Sequence, residues 1–233
     1  MKLALLKRAL ASALLMAVAL PALAQISPAI SSRQLTQGEW ALMPEWCVDS
    51  QEGPYGSPEG GDGLNRSPRA RQWVGLMGQD FWHMHHYCRG LRDMLRLRKA
   101  GLTPREREML TSRAVSEFTY ILNNCQPTMP LMPEVLLKKG EVHELQGDLP
   151  AALDAFAASM KLKPDYWPAY DRIVSVYLGL KQPDKALAAA EQGLIASPNQ
   201  PNLLAHVQAI KGVRATSAPA RPAHAHAASG SGR

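Results

Sequence analysis

PEVLLKKGEVHELQGDLPAALDAFAASMKLKPDY (133–166) is followed at once by WPAYDRIVSVYLGLKQPDKALAAAEQGLIASPNQ (167–200). The two 34-residue stretches share a pattern. Ala152, Phe156 and Pro164 of the first stand 34 positions before Ala186, Ala190 and Pro198 of the second. A fixed period of this length marks a repeated unit that cannot bury its apolar face alone and stacks on its neighbour. Apolar residues recur at three- and four-residue spacing, so each stretch reads as two helices. Gly147-Asp148 separates the first pair, and Asp148 with Pro150 supplies the next start. Pro164 and Pro198 end the second helices because proline cannot continue the hydrogen-bond ladder. The predicted helices are 133–146, 150–162, 167–180 and 183–196, with a closing helix at 201–214.

Before the repeats, a Pro-rich link covers 126–132. Thr103-Pro104-Arg105-Glu106 is a capping box with proline at the first helical position, opening a helix over 104–124. Phe81, Met84, Cys88, Leu91 and Leu95 form one stripe of a helix over 79–99, and Pro68–Met77 predicts a short helix before it. Residues 67–126 therefore read as a helical hairpin. Residues 25–66 read as an irregular arm, rich in turn formers between Gly53 and Gly63. Trp40, Leu42, Met43 and Trp46 are the part of it expected to pack on the body. The last residues, 215–233, are mostly Ala, Pro, Ser, Gly and His, which cannot bury a core, and a disordered tail is expected.

The 233-residue chain opens with Lys2, Lys7 and Arg8, an uncharged apolar run Ala9–Leu20, and Ala22-Leu23-Ala24. This is the pattern of a secretory signal peptide, residues 1–24, cleaved after Ala24. The run is shorter than the roughly 20 apolar residues of a spanning helix. No later segment is long and apolar enough to span. The expected location is periplasmic or secreted. Losing those three basic residues lowers the formal charge from +6 to +3, too mild to indicate a nucleic-acid partner.

From Pro133 onward the chain resembles the tetratricopeptide repeat family. Gly140 stands where two helices cross, Ala152 and Phe156 line the second helix, and Pro164 ends it; Trp167, Tyr177, Ala186 and Pro198 match in the second unit. His143 stands where the family prefers Tyr, Val174 replaces Gly or Ala, and Ala190 replaces an aromatic. The block Trp73–Gly78 and Phe81–Cys88 resembles uncharacterised exported tetratricopeptide proteins of proteobacteria. The resemblance implies an all-α fold of helical hairpins stacked as a short right-handed solenoid. Residues 133–214 would hold two units plus a closing helix, and 67–126 a degenerate unit with the Ala114/Phe118 spacing. It also implies that first helices line a concave groove that grips a protein or peptide segment. The positions carried over are Glu134, Leu137, Glu141, Glu144, Asp171, Ser175 and Leu178. Glu141 and Glu144 would repel a carboxylate terminus, so a neutral or basic segment is expected. Tyr170, Tyr177 and Trp167 are expected to fill interfaces between helices.

Three cysteines remain in an export context that permits disulfides. Cys88 lies on the apolar stripe and Cys47 beside Trp46 in the arm, so Cys47–Cys88 is the expected pair and Cys125 the spare. Closing that loop would stabilise the fold by about 4 kcal/mol at most on a chain-entropy account. His83, His85, His86 and Cys88 form the one cluster with metal or haem flavour. At about 100° per residue, His83 and His86 share one face while His85 and Cys88 point elsewhere. No Cys-x-x-Cys-His, phosphate loop, Gly-x-Ser-x-Gly or His-Glu-x-x-His is present. The expected function is a non-enzymatic, cofactor-free binding module, a scaffold or assembly factor that could also self-associate. A metal- or haem-handling accessory factor is the alternative.

Overall fold

The computed structural model describes residues 26–32, 34–50 and 69–217, with side chains described as far as Val213. The expected signal peptide, the glycine-rich stretch 53–63 and the tail beyond Ser217 lie outside the described residues. All regular structure among the described residues is helical. The elements are α1 Pro28–Ser31, α2 Gln37–Trp40, a 3-10 turn Glu45–Cys47, α3 Ala70–Met77, a 3-10 turn Gln79–His83, α4 His85–Leu97, α5 Pro104–Asn124, α6 Met132–Gln146, α7 Leu149–Leu162, α8 Trp167–Gly179, α9 Pro183–Ala196 and α10 Pro201–Ser217.

Local chemistry sets these boundaries. Thr103 Oγ1 accepts the Glu106 amide (3.2 Å) and the Thr103 amide donates to Glu106 Oε2 (2.9 Å), so the expected capping box opens α5. Asp148 caps α7 by accepting the Ala151 amide (3.2 Å). Gly147 ends α6 in the left-handed region at φ 82°. Lys181, 34 residues on, adopts φ 56° at the matching corner. The helix expected over 79–99 is broken: a tight turn precedes α4, which starts only at His85. The arm is less irregular than its composition suggests, holding α1, α2 and a turn. Trp46 packs on the core, whereas Leu42 is 68 % exposed and does not.

Each helix from α4 to α10 packs chiefly on the next in the chain. Weaker contacts skip one helix, joining α4 to α6, α6 to α8 and α8 to α10. The even-numbered helices therefore form one row in mutual contact, and the odd-numbered helices cover it.

One contact sets the spacing within each pair. Gly140 of α6 lies so close to α7 that a Cβ there would sit 2.4 Å from Phe156 Cε1 and 3.1 Å from the Ala152 carbonyl oxygen. Gly90 of α4 meets Phe118 of α5 in the same way, its added Cβ 2.6 Å from Phe118 Cζ. Ala114 lies buried one turn earlier, as Ala152 does before Phe156. In α8 and α9 the bulk is exchanged between the partners. Val174 replaces the glycine, Ala190 replaces the phenylalanine, and both are fully buried in one cluster. The two departures from the repeat pattern thus compensate each other in volume.

The arm is held by Arg96. Its side chain is fully buried, and all five guanidinium N–H groups are used. Nε and Nη2 donate to the two Glu39 carboxylate oxygens (2.8 Å each), Nη2 also to the Gln34 carbonyl (2.7 Å), and Nη1 to the carbonyls of Ile30 (3.3 Å) and Ser32. Arg113 of α5 donates to the Ser31 carbonyl (3.2 Å) and to Asp93, which also receives Arg92. Lower down, Asp49 accepts the Trp73 indole N–H (2.8 Å) and Arg69 (2.7 Å). Cys47 is bonded to Cys88, with Cα atoms 5.8 Å apart and both side chains sealed from solvent.

Two outcomes follow from this packing. Gly140→Val should destabilise by about 1–3 kcal/mol through overpacking, and Phe156→Ala by about 3–5 kcal/mol. The double variant, which copies Val174/Ala190, should cost clearly less than the sum in urea unfolding. Additive losses would contradict the volume exchange. For the arm, the Arg96 hydrogen bonds hold the Glu39 carboxyl down at about 2, against burial that would raise it. The stabilisation is therefore complete above the ordinary carboxylate value near 4.5 and is lost as pH falls toward 2. Glu39→Gln should flatten that acid limb, and Arg96→Met should cost about 3 kcal/mol or more by stranding a buried charge.

Candidate functional site

The surface of the even-numbered row carries most of the expected groove residues. Glu134, Glu141 and Glu144 stand on α6, and Asp171, Ser175 and Leu178 on α8. Leu137 is not among the exposed ones. It is 5 % exposed and packs inward in a cluster with Phe156 and Ile173. Leu178, by contrast, is 38 % exposed and offers apolar surface.

The acids on this face are largely paired. Lys138 Nζ lies 3.1 Å from Glu141, Arg172 Nε lies 4.0 Å from Glu141, and Arg172 Nη2 binds Glu144. His206 Nε2 lies 3.1 Å from Asp171 Oδ1. Ser175 turns its hydroxyl back to the Asp171 carbonyl (2.9 Å). Glu141 and Glu144, the acids expected to repel a carboxylate terminus, each face a cation. Lys138, Arg172 and His206 stand 34 residues apart, one each on α6, α8 and α10. Arg172 and His206 each reach back to an acid on the preceding even helix. The period itself carried this signal, and apolar patterning alone overlooks it.

Glu134 differs from the other acids. It accepts the Tyr87 hydroxyl from α4, and no cation contacts it among the described residues. Burial, and then the Glu134 charge, push the Tyr87 phenol well above its ordinary value. Tyr166 is pushed up as well, by burial first and then by Glu134 and Glu141. Tyr170 fills an interface as expected, donating to the Pro164 carbonyl (3.0 Å). Tyr177 packs between two core clusters, and Trp167 opens α8 partly buried.

The histidine block is arranged differently from the expected cluster. The Cys88 sulfur is committed to Cys47 and cannot serve as a ligand. Cys125 is the free cysteine among the described residues; burial, aided by Asp80, pushes its thiol up to about 11 and keeps it protonated. The His83 ring nitrogen Nδ1 lies 3.2 Å from the Tyr120 hydroxyl. His86 stacks on the Tyr120 ring at 3.6 Å, with Nδ1 2.5 Å from Glu117 Oε2. His85 Nδ1 donates to the Trp82 carbonyl (2.9 Å), and its ring lies 4.3 Å from that of His86. Burial would raise Glu117, but the His86 hydrogen bond and the nearby charges of His86, Arg89 and Arg92 hold it low. No group of three or more His, Cys, Asp or Glu side chains among the described residues converges on a metal position.

Sequence reasoning missed Glu117 and Tyr120. They lie one turn apart on α5, so their shared face was legible. Their register against His86 is set by Gly90 meeting Phe118 across the antiparallel pair.

No family model matches this chain, and comparison with curated proteins finds no significant match.

Burial, followed by the charges of His86 and Arg89, brings His85 down to about 4. A base depressed on folding takes up its proton first in the unfolded chain. Its share of stability is complete above about pH 6.5 and is lost as pH falls toward 4. His85→Phe should remove that component from the pH–stability curve, and the His85 ring resonances should titrate near pH 4.

Proposed function

We propose that this chain is an exported helical-repeat protein of the tetratricopeptide type whose α6–α8–α10 face receives a segment of a partner protein in the envelope. The observation that carries the reading is the skip-one packing of α4, α6, α8 and α10, which lines up equivalent side chains of successive units on one surface. The recurrence of the Gly90/Phe118 contact at Gly140/Phe156 supports counting α4 and α5 as a unit of the same kind. The buried Cys47–Cys88 disulfide favours an oxidising compartment. Among the described residues no helix is long and apolar enough to cross a membrane.

A preformed face of this kind takes a segment with little rearrangement of its own backbone. Its charges are mostly matched in pairs, so the segment it suits is neutral or carries a cation for Glu134. Leu178 supplies apolar contact. The role is that of a scaffold or assembly factor. The metal- or haem-handling alternative built on His83, His85, His86 and Cys88 loses the Cys88 sulfur, and the partner-binding reading is preferred.

The test is crosslinking purification of the protein from its native envelope, with Ser175→Arg/Leu178→Arg beside it. These positions can be changed without stripping a partner from Arg172 or His206. A discrete partner lost in the variant is expected. A partner captured equally by both would remove the groove from its role, and monomer-only recovery would remove the partner.

A further inference from the structure

We propose that the corner between α4 and α5 docks on a lipid surface with anionic headgroups. Four exposed cations stand at this corner: Arg98 and Lys99 where α4 ends, Arg105 and Arg107 where α5 begins. The acids beside them are mostly spent. Glu106 accepts the amides of Ser27 (2.9 Å) and Thr103 (2.9 Å). Glu39 is gripped by Arg96 and lies 3.5 Å from Lys99. Asp148, on the neighbouring α6–α7 turn, caps α7. Glu108 is the exposed acid left near the start of α5. Among the described residues, no acid contacts the guanidinium groups of Arg98, Arg105 and Arg107.

Helix stability gives no reason for Arg105 and Arg107. The amino end of a helix carries about half a positive charge and favours acids, yet the first turn of α5 holds two cations without an acid partner. A local rule broken with no structural compensation is the mark of a functional position. Two further features converge here. Leu42 is 68 % exposed, and its amide donates to the carbonyl of Glu39 (3.1 Å), the residue beside Lys99. An exposed apolar side chain next to cations is the make-up of an interfacial lipid contact. The described chain also starts at this corner. Ile26 packs against the cluster of Leu97 and Leu110, and Ser27 is bound by Glu106. The segment joined there carries Lys2, Lys7, Arg8 and the apolar run Ala9–Leu20. A leader that inserts in the bilayer during export brings this corner to the headgroups, and the cations hold it there after cleavage. Each cation near an anionic surface raises binding about fivefold. The corner uses no residue of the α6–α8–α10 face, so its test does not depend on the partner.

The test is co-sedimentation of the protein, purified from its native envelope, with vesicles of phosphatidylcholine alone or with phosphatidylglycerol added. Binding to the phosphatidylglycerol vesicles is expected, weakening as salt is raised. Arg98→Gln/Arg105→Gln/Arg107→Gln should lower it about 100-fold. Leu42→Asp, a change at an exposed position, should weaken it as well. Circular dichroism checks that both variants fold; the triple change takes cations from the amino end of α5, which favours that helix. No binding to phosphatidylglycerol vesicles would overturn the proposal and leave an acidic protein as the alternative partner. Equal binding to phosphatidylcholine alone would overturn it too, and so would binding that either variant leaves unchanged.

Discussion

The contact on which the rest of the structure depends is an aromatic ring against bare backbone. Phe156 on Gly140, and Phe118 on Gly90, bring two helices closer than any pair of side chains would allow. That closeness fixes the register of each antiparallel pair and, through it, which residues reach the outside. Helix α8 satisfies the same constraint by another route. Its valine fills what would be the ring's space, and alanine on α9 makes room. Close packing tolerates such exchange because what it requires is filled volume in good geometry, not a particular residue.

A second constraint governs the arm. Residues 26–32 and 34–50 carry little periodicity and few apolar side chains that reach the body, yet they lie along α4 and α5. The reason is one arginine. Arg96 gathers three backbone carbonyls and a carboxylate, so it orders the chain through groups every residue possesses. The disulfide from Cys47 to Cys88 pins the lower end, and Asp49 ties it to α3 through Trp73. The acid that pairs with Arg96, Glu39, also completes the capping box of α2 by accepting the amide of its N-cap, Thr36, so local helix formation and long-range docking share a side chain.

These two constraints explain what the sequence disclosed. The helices from α5 to α10 were legible because prolines, caps and apolar spacing are local signals, and the 34-residue period extends them. The Cys47–Cys88 pairing was legible because Cys88 sits on an apolar stripe and Cys47 beside a tryptophan that must pack. The arm's short helices were not, since a buried arginine reading main-chain carbonyls leaves no trace in composition. Nor was the environment of the histidines. Helical geometry put His83 near His86, and both meet Tyr120. The 3-10 turn before His85 and the partner Glu117, however, depend on the register of α4 against α5. On the α6–α8 face, the cations opposite Glu141 and Glu144, Lys138 and Arg172, stand one 34-residue period apart. Only the stacking of the even helices brings Arg172 within reach.

The proposed working surface is the row of stacked even-numbered helices. Site-specific photo-crosslinking in the native envelope tests it most directly, with the probe at Ser175 on α8 or at Ile195, which is 83 % exposed on α9. A discrete partner adduct is expected from Ser175 and none from Ile195. An adduct from Ile195 alone would contradict it and move the working surface to the odd-numbered helices.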